Sequence, residues 1–380
     1  MKYLIIFILI FTLAMPINAS ANEAETADAY VLIEAETGEI LLAHNENEQL
    51  PISSLAKIMT LIIIAEELAA GNISLSDSVP APPEVMGLKA PVIWLDAGEV
   101  LPLGELVKAV IMSSSNDATL ALAAYAGNGI DEFTARMNAK AAELNMSNTH
   151  FADPGGFTEE TISTARDVAI MTAELFNNGL HEILDKGKFF TTRLSEVRRG
   201  TERETQLVNT NRMAQWYGGI LGGKVAGNRI VNCAERVFSN NSMRLVAVIF
   251  GAKDEDERDN FCEQLFDSGF NNFEYFEPEI DTSGFSPLAI TRGVEKAVEV
   301  APALPVRFIS DRSEVGEARY EAELPESIEA PVEEGQVLGR FIVRLGEKVV
   351  FECDIVAVHA VEELTFCKSL EFMTESFFSS

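Results

Sequence analysis

Residues 54–70 read SLAKIMTLIIIAEELAA, and this stretch sets the centre of the predicted fold. Its apolar side chains recur at helical spacing, and Gly71 ends the run. Because the segment is apolar on nearly every side, it predicts a helix buried at the centre of a domain. Lys57 would then be a lone charge among apolar residues, which is rarely accidental.

Ser54 stands at the start of that helix, and Lys57 follows one turn later on the same face. The positive end of the helix dipole favours negative charge developing on Ser54. An ammonium group in an apolar interior loses hydration, so the pKa of Lys57 should fall and Lys57 could take the serine proton. The alternative is a serine helix cap followed by an exposed lysine, since S-x-x-K is a weak pattern by itself.

Two further segments could supply polar groups to a site. Ser114-Ser115-Asn116 falls in a tight connection between two predicted helices, where a hydroxyl can relay a proton and an amide can bind a peptide carbonyl. A plain helix-cap cluster is the alternative. In Gly222-Gly223-Lys224, the glycines allow close backbone approach to a ligand and the lysine offers charge to an anionic substrate. The alternative there is a glycine turn with a surface lysine.

Periodicity around these motifs predicts a mixed domain of helices and strands, followed by a small β module. Residues 29–44 predict a hairpin, and 243–251 a buried strand. From about residue 276 short strand-like runs alternate with Pro, Gly and Glu, and 361–380 carry an amphipathic stripe. Further helices are predicted at 102–112, 117–125, 130–144, 165–176 and 260–267, the last ended by Gly269.

The first 21 residues predict a signal peptide. Lys2 precedes an apolar run over 3–13, and Ala19-Ser20-Ala21 fits a cleavage site. A membrane anchor is the alternative, but the run is short and Pro16 interrupts it. The protein is therefore expected to be exported. Its formal net charge of −30 repels nucleic-acid phosphates and anionic lipid, so we expect no nucleic-acid partner.

Four cysteines lie at positions 233, 262, 353 and 367, and none has the C-x-x-C spacing of a metal site. Cys233 falls in a predicted strand and Cys262 in a predicted helix, so buried free thiols are expected. Export permits disulfides, which leaves a bridge between these two residues open.

Together these motifs resemble the low-molecular-mass penicillin-binding proteins, which are serine-type D-alanyl-D-alanine carboxypeptidases of the peptidase S11 kind. That family combines S-x-x-K, S-x-N and K-T-G. The first two stand intact as Ser54…Lys57 and Ser114…Asn116. The resemblance covers essentially the whole mature chain, and its other matching stretches are 30–38, 148–156, 164–167, 209–212, 269–274 and 330–337.

The resemblance implies the α/β (α+β) fold of penicillin-binding proteins and serine β-lactamases over residues 22–276, with an antiparallel sheet and a helical lobe. It implies a small all-β accessory domain over 277–360. The tail at 361–380 would make weak peripheral membrane contact, because its acidic residues leave only apolar burial to attract lipid. Peptidoglycan stem peptides and β-lactam antibiotics are the implied ligands, and no metal or organic cofactor is implied.

Carried over to this sequence, the family's roles make Ser54 the nucleophile and Lys57 its base. Ser114 would pass the proton to the leaving D-alanine, and Asn116 would hold the peptide. Lys224 would bind the substrate's carboxylate. Arg258 would also reach that carboxylate, although a surface arginine among the acidic residues 254–257 is the alternative.

The third motif departs from the family's pattern, because Lys224-Val225-Ala226 stands where Lys-Thr-Gly is expected. Val225 lacks the hydroxyl that should bond the substrate's carboxylate, and Ala226 adds a methyl group where the ligand approaches. Gly155 also replaces a usual histidine. Two alternatives stay open. The altered third motif supports a degenerate member that binds peptidoglycan or a partner without efficient turnover, and the other alternative is a β-lactamase. The accessory β domain and the tail argue against the β-lactamase.

Overall fold

The computed structural model describes residues 27–178, 191–198, 201–238, 241–278, 287–313, 318–366 and 368. The predicted signal peptide lies outside these residues, as does most of the tail at 361–380. The described residues divide into two compact units between Phe266 and Asp267. Within the described part of the chain, no helix is both long enough and apolar enough to cross a membrane.

Helices surround the predicted central helix, in which every residue from Lys57 to Ile64 is buried. The last helix is longer than the predicted 260–267, and Gly269 lies inside it. Its start is stabilised because the Asp254 carboxylate accepts the otherwise unpaired amides of Asp256 and Glu257. The helices are Lys57–Ala69 (α1), Leu103–Ser113 (α2), Asn116–Ala126 (α3), Ile130–Glu143 (α4), Ala165–Asn178 (α5), Met213–Trp216 (α6) and Glu255–Asn272 (α7).

Strands of the first unit form one large antiparallel sheet and three small two-stranded pairs. The strands are Ala29–Glu34 (β1), Ile40–His44 (β2), Leu50–Pro51 (β3), Ser78–Pro80 (β4), Val100–Pro102 (β5), Ile162–Ser163 (β6), Thr191–Arg198 (β7), Thr201–Val208 (β8), Ile220–Ala226 (β9), Arg229–Phe238 (β10) and Asn241–Phe250 (β11).

The large sheet has the order β2-β1-β11-β10-β9. Strand β1 is buried along its whole length and pairs with β11 from Ala29 opposite Phe250 to Glu34 opposite Leu245. Strand β1 also pairs antiparallel with β2, so the predicted hairpin is confirmed. Strand β11 is buried from Leu245 to Phe250, so the predicted buried strand is confirmed as well. Strand β9 is an edge strand and lies against the 3₁₀ turn Ser53–Ala56. The sheet therefore presents its edge to the residues around Ser54.

The second unit is built of short strands around its own apolar core, which includes Phe341, Val343 and Ile355. A four-stranded sheet has the order β15-β20-β19-β17, and a three-stranded sheet has the order β14-β13-β18. The predicted all-β module is confirmed. Its strands, with β12 paired to β16, are Phe273–Phe276 (β12), Leu288–Thr291 (β13), Ala297–Val298 (β14), Val300–Pro302 (β15), Phe308–Asp311 (β16), Ala318–Glu323 (β17), Ser327–Glu329 (β18), Val337–Leu345 (β19) and Lys348–Ala357 (β20).

The cysteines that the structure describes are buried and unbridged. Cys233 lies in β10 and Cys262 in α7, as predicted, and both carry free thiols. Burial raises the pKa of both thiols, so neither is readily ionised. The bridge between these two residues is therefore not formed.

Candidate active site

Ser54 and Lys57 meet where the 3₁₀ turn Ser53–Ala56 runs into α1. The helix proper begins at Lys57, so Ser54 lies one turn ahead of it rather than at its first residue. The Lys57 ammonium donates to Ser54 Oγ at 2.8 Å. Ser53 has a left-handed backbone with φ of 48°, which is uncommon outside glycine and often marks functional sites. The turn thus holds the serine hydroxyl against the lysine.

Lys57 is fully buried, which excludes the reading of an exposed surface lysine. Burial lowers the pKa of Lys57 to about 7, while the Asp153 carboxylate acts in the opposite direction. Near neutral pH a large share of Lys57 is therefore the free amine. In that form the same 2.8 Å contact lets Nζ accept the proton of Ser54 Oγ.

The S-x-N segment joins α2 to α3, with Asn116 as the first residue of α3, and brings a third group to the pair. Asn116 Oδ1 accepts a hydrogen bond from Lys57 Nζ at 2.7 Å. Ser114 ends α2 in the left-handed conformation, and its buried Oγ has no hydrogen-bond partner among the described residues. The helix-cap alternative fails, because the Ser115 hydroxyl bonds the Asp117 carboxylate and not an amide of the first turn of α3.

A loop over residues 89–95 fixes the S-x-N segment from behind. The Asn116 amide N–H donates to the Pro91 carbonyl at 2.7 Å, and its side-chain Nδ2 donates to the Lys89 carbonyl at 2.8 Å. The buried Asp117 carboxylate accepts the backbone amides of Ile93 and Leu95 at 3.1 and 2.9 Å. The sequence showed no role for this loop, because its contacts join segments more than twenty residues apart.

Lys224 lies on β9 and is almost fully buried. Its ammonium donates to the carbonyls of Val110 and Ile111 in the last turn of α2, the latter at 3.0 Å. Burial, with the charge of Lys57 as a second cause, lowers the pKa of Lys224 well below its usual value. The surface-lysine alternative is therefore wrong. The structure ties Lys224 to α2, the helix that Ser114 caps, and the contact of Lys224 with substrate stays a prediction.

Arg258 is also buried, so the reading of a surface arginine is wrong. Its guanidinium donates to the Asp259 carboxylate at 2.8 and 2.7 Å and to the Gly227 carbonyl. Gly227 begins the turn between β9 and β10, directly after Ala226. The structure thus places Arg258 beside the end of the altered third motif, and its role toward substrate stays a prediction.

Phe157 is a neighbour of Lys57 that the sequence analysis did not identify. Its ring centroid lies 5.7 Å from Lys57 Nζ. The only signal in the sequence was its place two residues after Gly155, where the family pattern is broken. Among the described residues, no cluster of His, Cys, Asp and Glu could hold a metal ion.

Both units of the chain match known protein families. A family model described as D-alanyl-D-alanine carboxypeptidase matches residues 16–254, and one described as the C-terminal domain of penicillin-binding protein 5 matches residues 284–363. The D-alanyl-D-alanine carboxypeptidase DacF of Bacillus subtilis is 31% identical over 354 residues, which cover 92% of this chain and 89% of the relative.

Two more relatives cover most of the chain. The D-alanyl-D-alanine carboxypeptidase DacC of Escherichia coli is 28% identical over 352 residues, or 90% of this chain and 86% of the relative. The solved structure of penicillin-binding protein 5 from Haemophilus influenzae superposes with a TM-score of 0.75 at 25% identity, covering 89% of this chain and 98% of that one.

Proposed function

Because the chain belongs to the D-alanyl-D-alanine carboxypeptidase family, we propose that it uses Ser54 to release the terminal D-alanine of peptidoglycan stem peptides. One observation carries the assignment of the nucleophile. A fully buried lysine, with its pKa lowered to about 7, lies 2.8 Å from the hydroxyl of Ser54. A serine paired with a neutral amine is an activated nucleophile.

In the first half of the reaction, Lys57 takes the hydroxyl proton and Ser54 Oγ attacks the carbonyl of the penultimate D-alanine. Backbone N–H groups, that of Ser54 among them, stabilise the oxyanion. The C–N bond then breaks, and the leaving D-alanine amine needs a proton. Ser114 relays this proton, because its buried Oγ has no hydrogen-bond partner among the described residues. Ser114 also precedes Asn116, the hydrogen-bond acceptor of Lys57, by two residues in the chain.

In the second half, water hydrolyses the ester on Ser54 and restores the free enzyme. Asn116 keeps one side-chain N–H for the substrate backbone, since an amide group has two and the Lys89 carbonyl uses one. Lys224 supports this end of the site by holding the last turn of α2. Arg258 binds the terminal carboxylate from beyond the turn after β9.

The setting that we propose is outside the cytoplasm, because residues 1–21 have the pattern of a signal peptide. Its ligands there are stem peptides and, as acylating inhibitors, β-lactam antibiotics. Residues 361–380 add weak contact with a membrane surface.

A second candidate function is binding without efficient turnover. The observation that favours it is the third motif, where Val225 and Ala226 replace the expected hydroxyl and glycine. Such a protein would acylate at Ser54 but release product slowly. A β-lactamase would instead release the hydrolysed antibiotic rapidly.

Labelling with a fluorescent penicillin, followed by assay of D-alanine release from a pentapeptide, tests the proposal. We expect the adduct on the peptide that contains Ser54 and slow but measurable release of D-alanine. Ser54→Ala should abolish both, while Ser147→Ala, a serine exposed on the same unit, should abolish neither. An adduct on another residue, or none at saturating penicillin, would refute the assignment of Ser54.

A further inference from the structure

The loop after α4 and before α5 is folded around one carboxylate. Asp153 accepts the backbone amides of Gly155 at 2.8 Å and of Phe157 at 2.9 and 3.0 Å. Thr60 Oγ1, one turn beyond Lys57 on α1, donates to the Pro154 carbonyl at 2.6 Å. The loop is therefore anchored both to its own acidic residue and to the helix that carries the base.

Two adjacent glycines set how closely this loop approaches the site. Gly156 has φ of +66°, and a Cβ there would lie 1.9 Å from the Ser53 carbonyl, immediately before the nucleophile. A Cβ on Gly155 would lie 2.2 Å from the Phe157 ring. The missing side chain at 155 thus leaves the space that the ring of Phe157 occupies.

We propose that Phe157 is a positioning residue for Lys57, and that Gly155 exists in this chain to make room for it. The ring joins Ser54 Oγ and Asn116 Oδ1 as a third neighbour of the Lys57 ammonium, at 5.7 Å from Nζ. There it keeps water from the amine and holds Nζ toward Ser54. This inference rests on the proposed role of Lys57 as the base.

The charged groups that face Lys57 are few. Asp153 faces it from the loop and favours its charged form, and Lys224 faces it from β9 as a second cation. The largest influence is burial, which favours the neutral amine. A ring over an ammonium has two opposing effects, because it adds to burial but also attracts the cation. Burial dominates at Lys57, so removing the ring should favour the charged form.

The pH profile of acylation by a chromogenic β-lactam measures how removal of the ring changes the balance between the charged and neutral forms of Lys57. In Phe157→Ala, water reaches Nζ, and we expect the midpoint of the rate to move up by about one pH unit. At pH 7 the free-amine fraction, and with it the rate, should fall roughly fivefold and recover as the pH rises. Phe157→Leu keeps an apolar cover, so its midpoint should stay close to that of the wild type.

Gly155→Ala provides an independent variant, because it leaves Lys57 and Phe157 unchanged but displaces the ring. We expect it to move the midpoint in the same direction as Phe157→Ala. The matched control is Phe133→Leu, a change to a fully buried phenylalanine of α4. It should lower the melting temperature and leave the midpoint where it is.

The inference is overturned if folded Phe157→Ala has the wild-type midpoint, or loses acylation equally at every pH. If Phe157→Ala does not fold, Gly155→Ala takes its place. An unmoved midpoint in folded Gly155→Ala would then overturn the inference. The proposed function fails separately, when the wild-type protein is not labelled on Ser54. Wild-type labelling on Ser54 with an unmoved midpoint in both variants would remove only the role of Phe157.

Discussion

Two regions of the site differ in what their polar groups bond. The nucleophile cluster, made of Ser54, Lys57 and Asn116, is held together by contacts among its own members. The second region, the β9 end, is made of residues 224–226 and Arg258. Its two cations donate hydrogen bonds to backbone carbonyls and to the Asp259 carboxylate. The first region therefore has the geometry that the proposed proton transfer requires, while the second is bonded to the surrounding backbone and to Asp259. Activation and docking of substrate can thus be disturbed separately.

The largest effect on acylation should come from replacing Lys57, the proposed general base of the nucleophile cluster. Lys57→Arg keeps a cation but cannot supply a neutral amine, because arginine stays charged in proteins. Acylation by penicillin should fall roughly 10²–10⁴-fold, the usual worth of a general base. The control is Lys108→Arg, a lysine paired with Glu105 on α2. If Lys57→Arg acylates at the wild-type rate, Lys57 is not the base.

Repair of the β9 end should have the next largest effect, in the opposite direction. Val225→Thr with Ala226→Gly restores a hydroxyl for the substrate carboxylate, and a hydrogen bond to a charged group is worth about 1.5–3 kcal/mol. Release of D-alanine should rise roughly tenfold to hundredfold. Acylation by penicillin should change less, since that reagent is intrinsically reactive.

The control for the repair is Val237→Thr, the same change on an exposed valine of β10. If the double variant gains nothing while Ser54 still acylates, the strand does not dock substrate as proposed. The binding-only function is then favoured.

The sequence predicted the nucleophile cluster better than the β9 end. Helical periodicity is local, so the buried helix follows from the sequence and is confirmed. The family and the fold class were implied by the resemblance of several motifs along the chain, and they are confirmed as well. The anchor of Lys224 on α2 joins residues 113 and 114 positions apart, which periodicity does not encode. The loop over residues 148–156 was recognised from the resemblance, but the contact of Phe157 with Lys57 was missed for the same reason, since it depends on packing between distant segments.

The length of α7 shows a second limit of prediction from local sequence. Gly269 predicted a helix end, yet the helix continues to Asn272 with Phe270 buried. Burial of that aromatic side chain outweighs the roughly 1 kcal/mol cost of a glycine within a helix. The domain boundaries predicted near residues 276 and 360 stay predictions.

An effect of intermediate size is expected from the pH dependence of acylation by the wild-type protein, which tests the nucleophile cluster without a substitution. In the proposed mechanism Lys57 acts as the free amine, and burial lowers its pKa to about 7, so acylation should rise with pH through neutrality. Between pH 6 and pH 7 the free-amine fraction grows about fivefold, and the rate should follow it. Stopped-flow acylation across this range measures it. A rate that falls as the pH rises would contradict a neutral lysine base.

The smallest effect should come from Arg258→Ala, which tests whether the β9 end docks substrate at all. The guanidinium is shared between Asp259 and the Gly227 carbonyl, so only part of it serves the substrate. At the lower end of a hydrogen bond's net worth, about 0.5–1 kcal/mol, D-alanine release should fall roughly twofold to fivefold. Arg212→Ala is the matched control, because Arg212 bonds the other oxygen of the same Asp259 carboxylate. Both variants should lose some thermal stability, but only Arg258→Ala should lose turnover with penicillin acylation retained. Equal turnover in the two variants would make Arg258 a partner of Asp259 and nothing more.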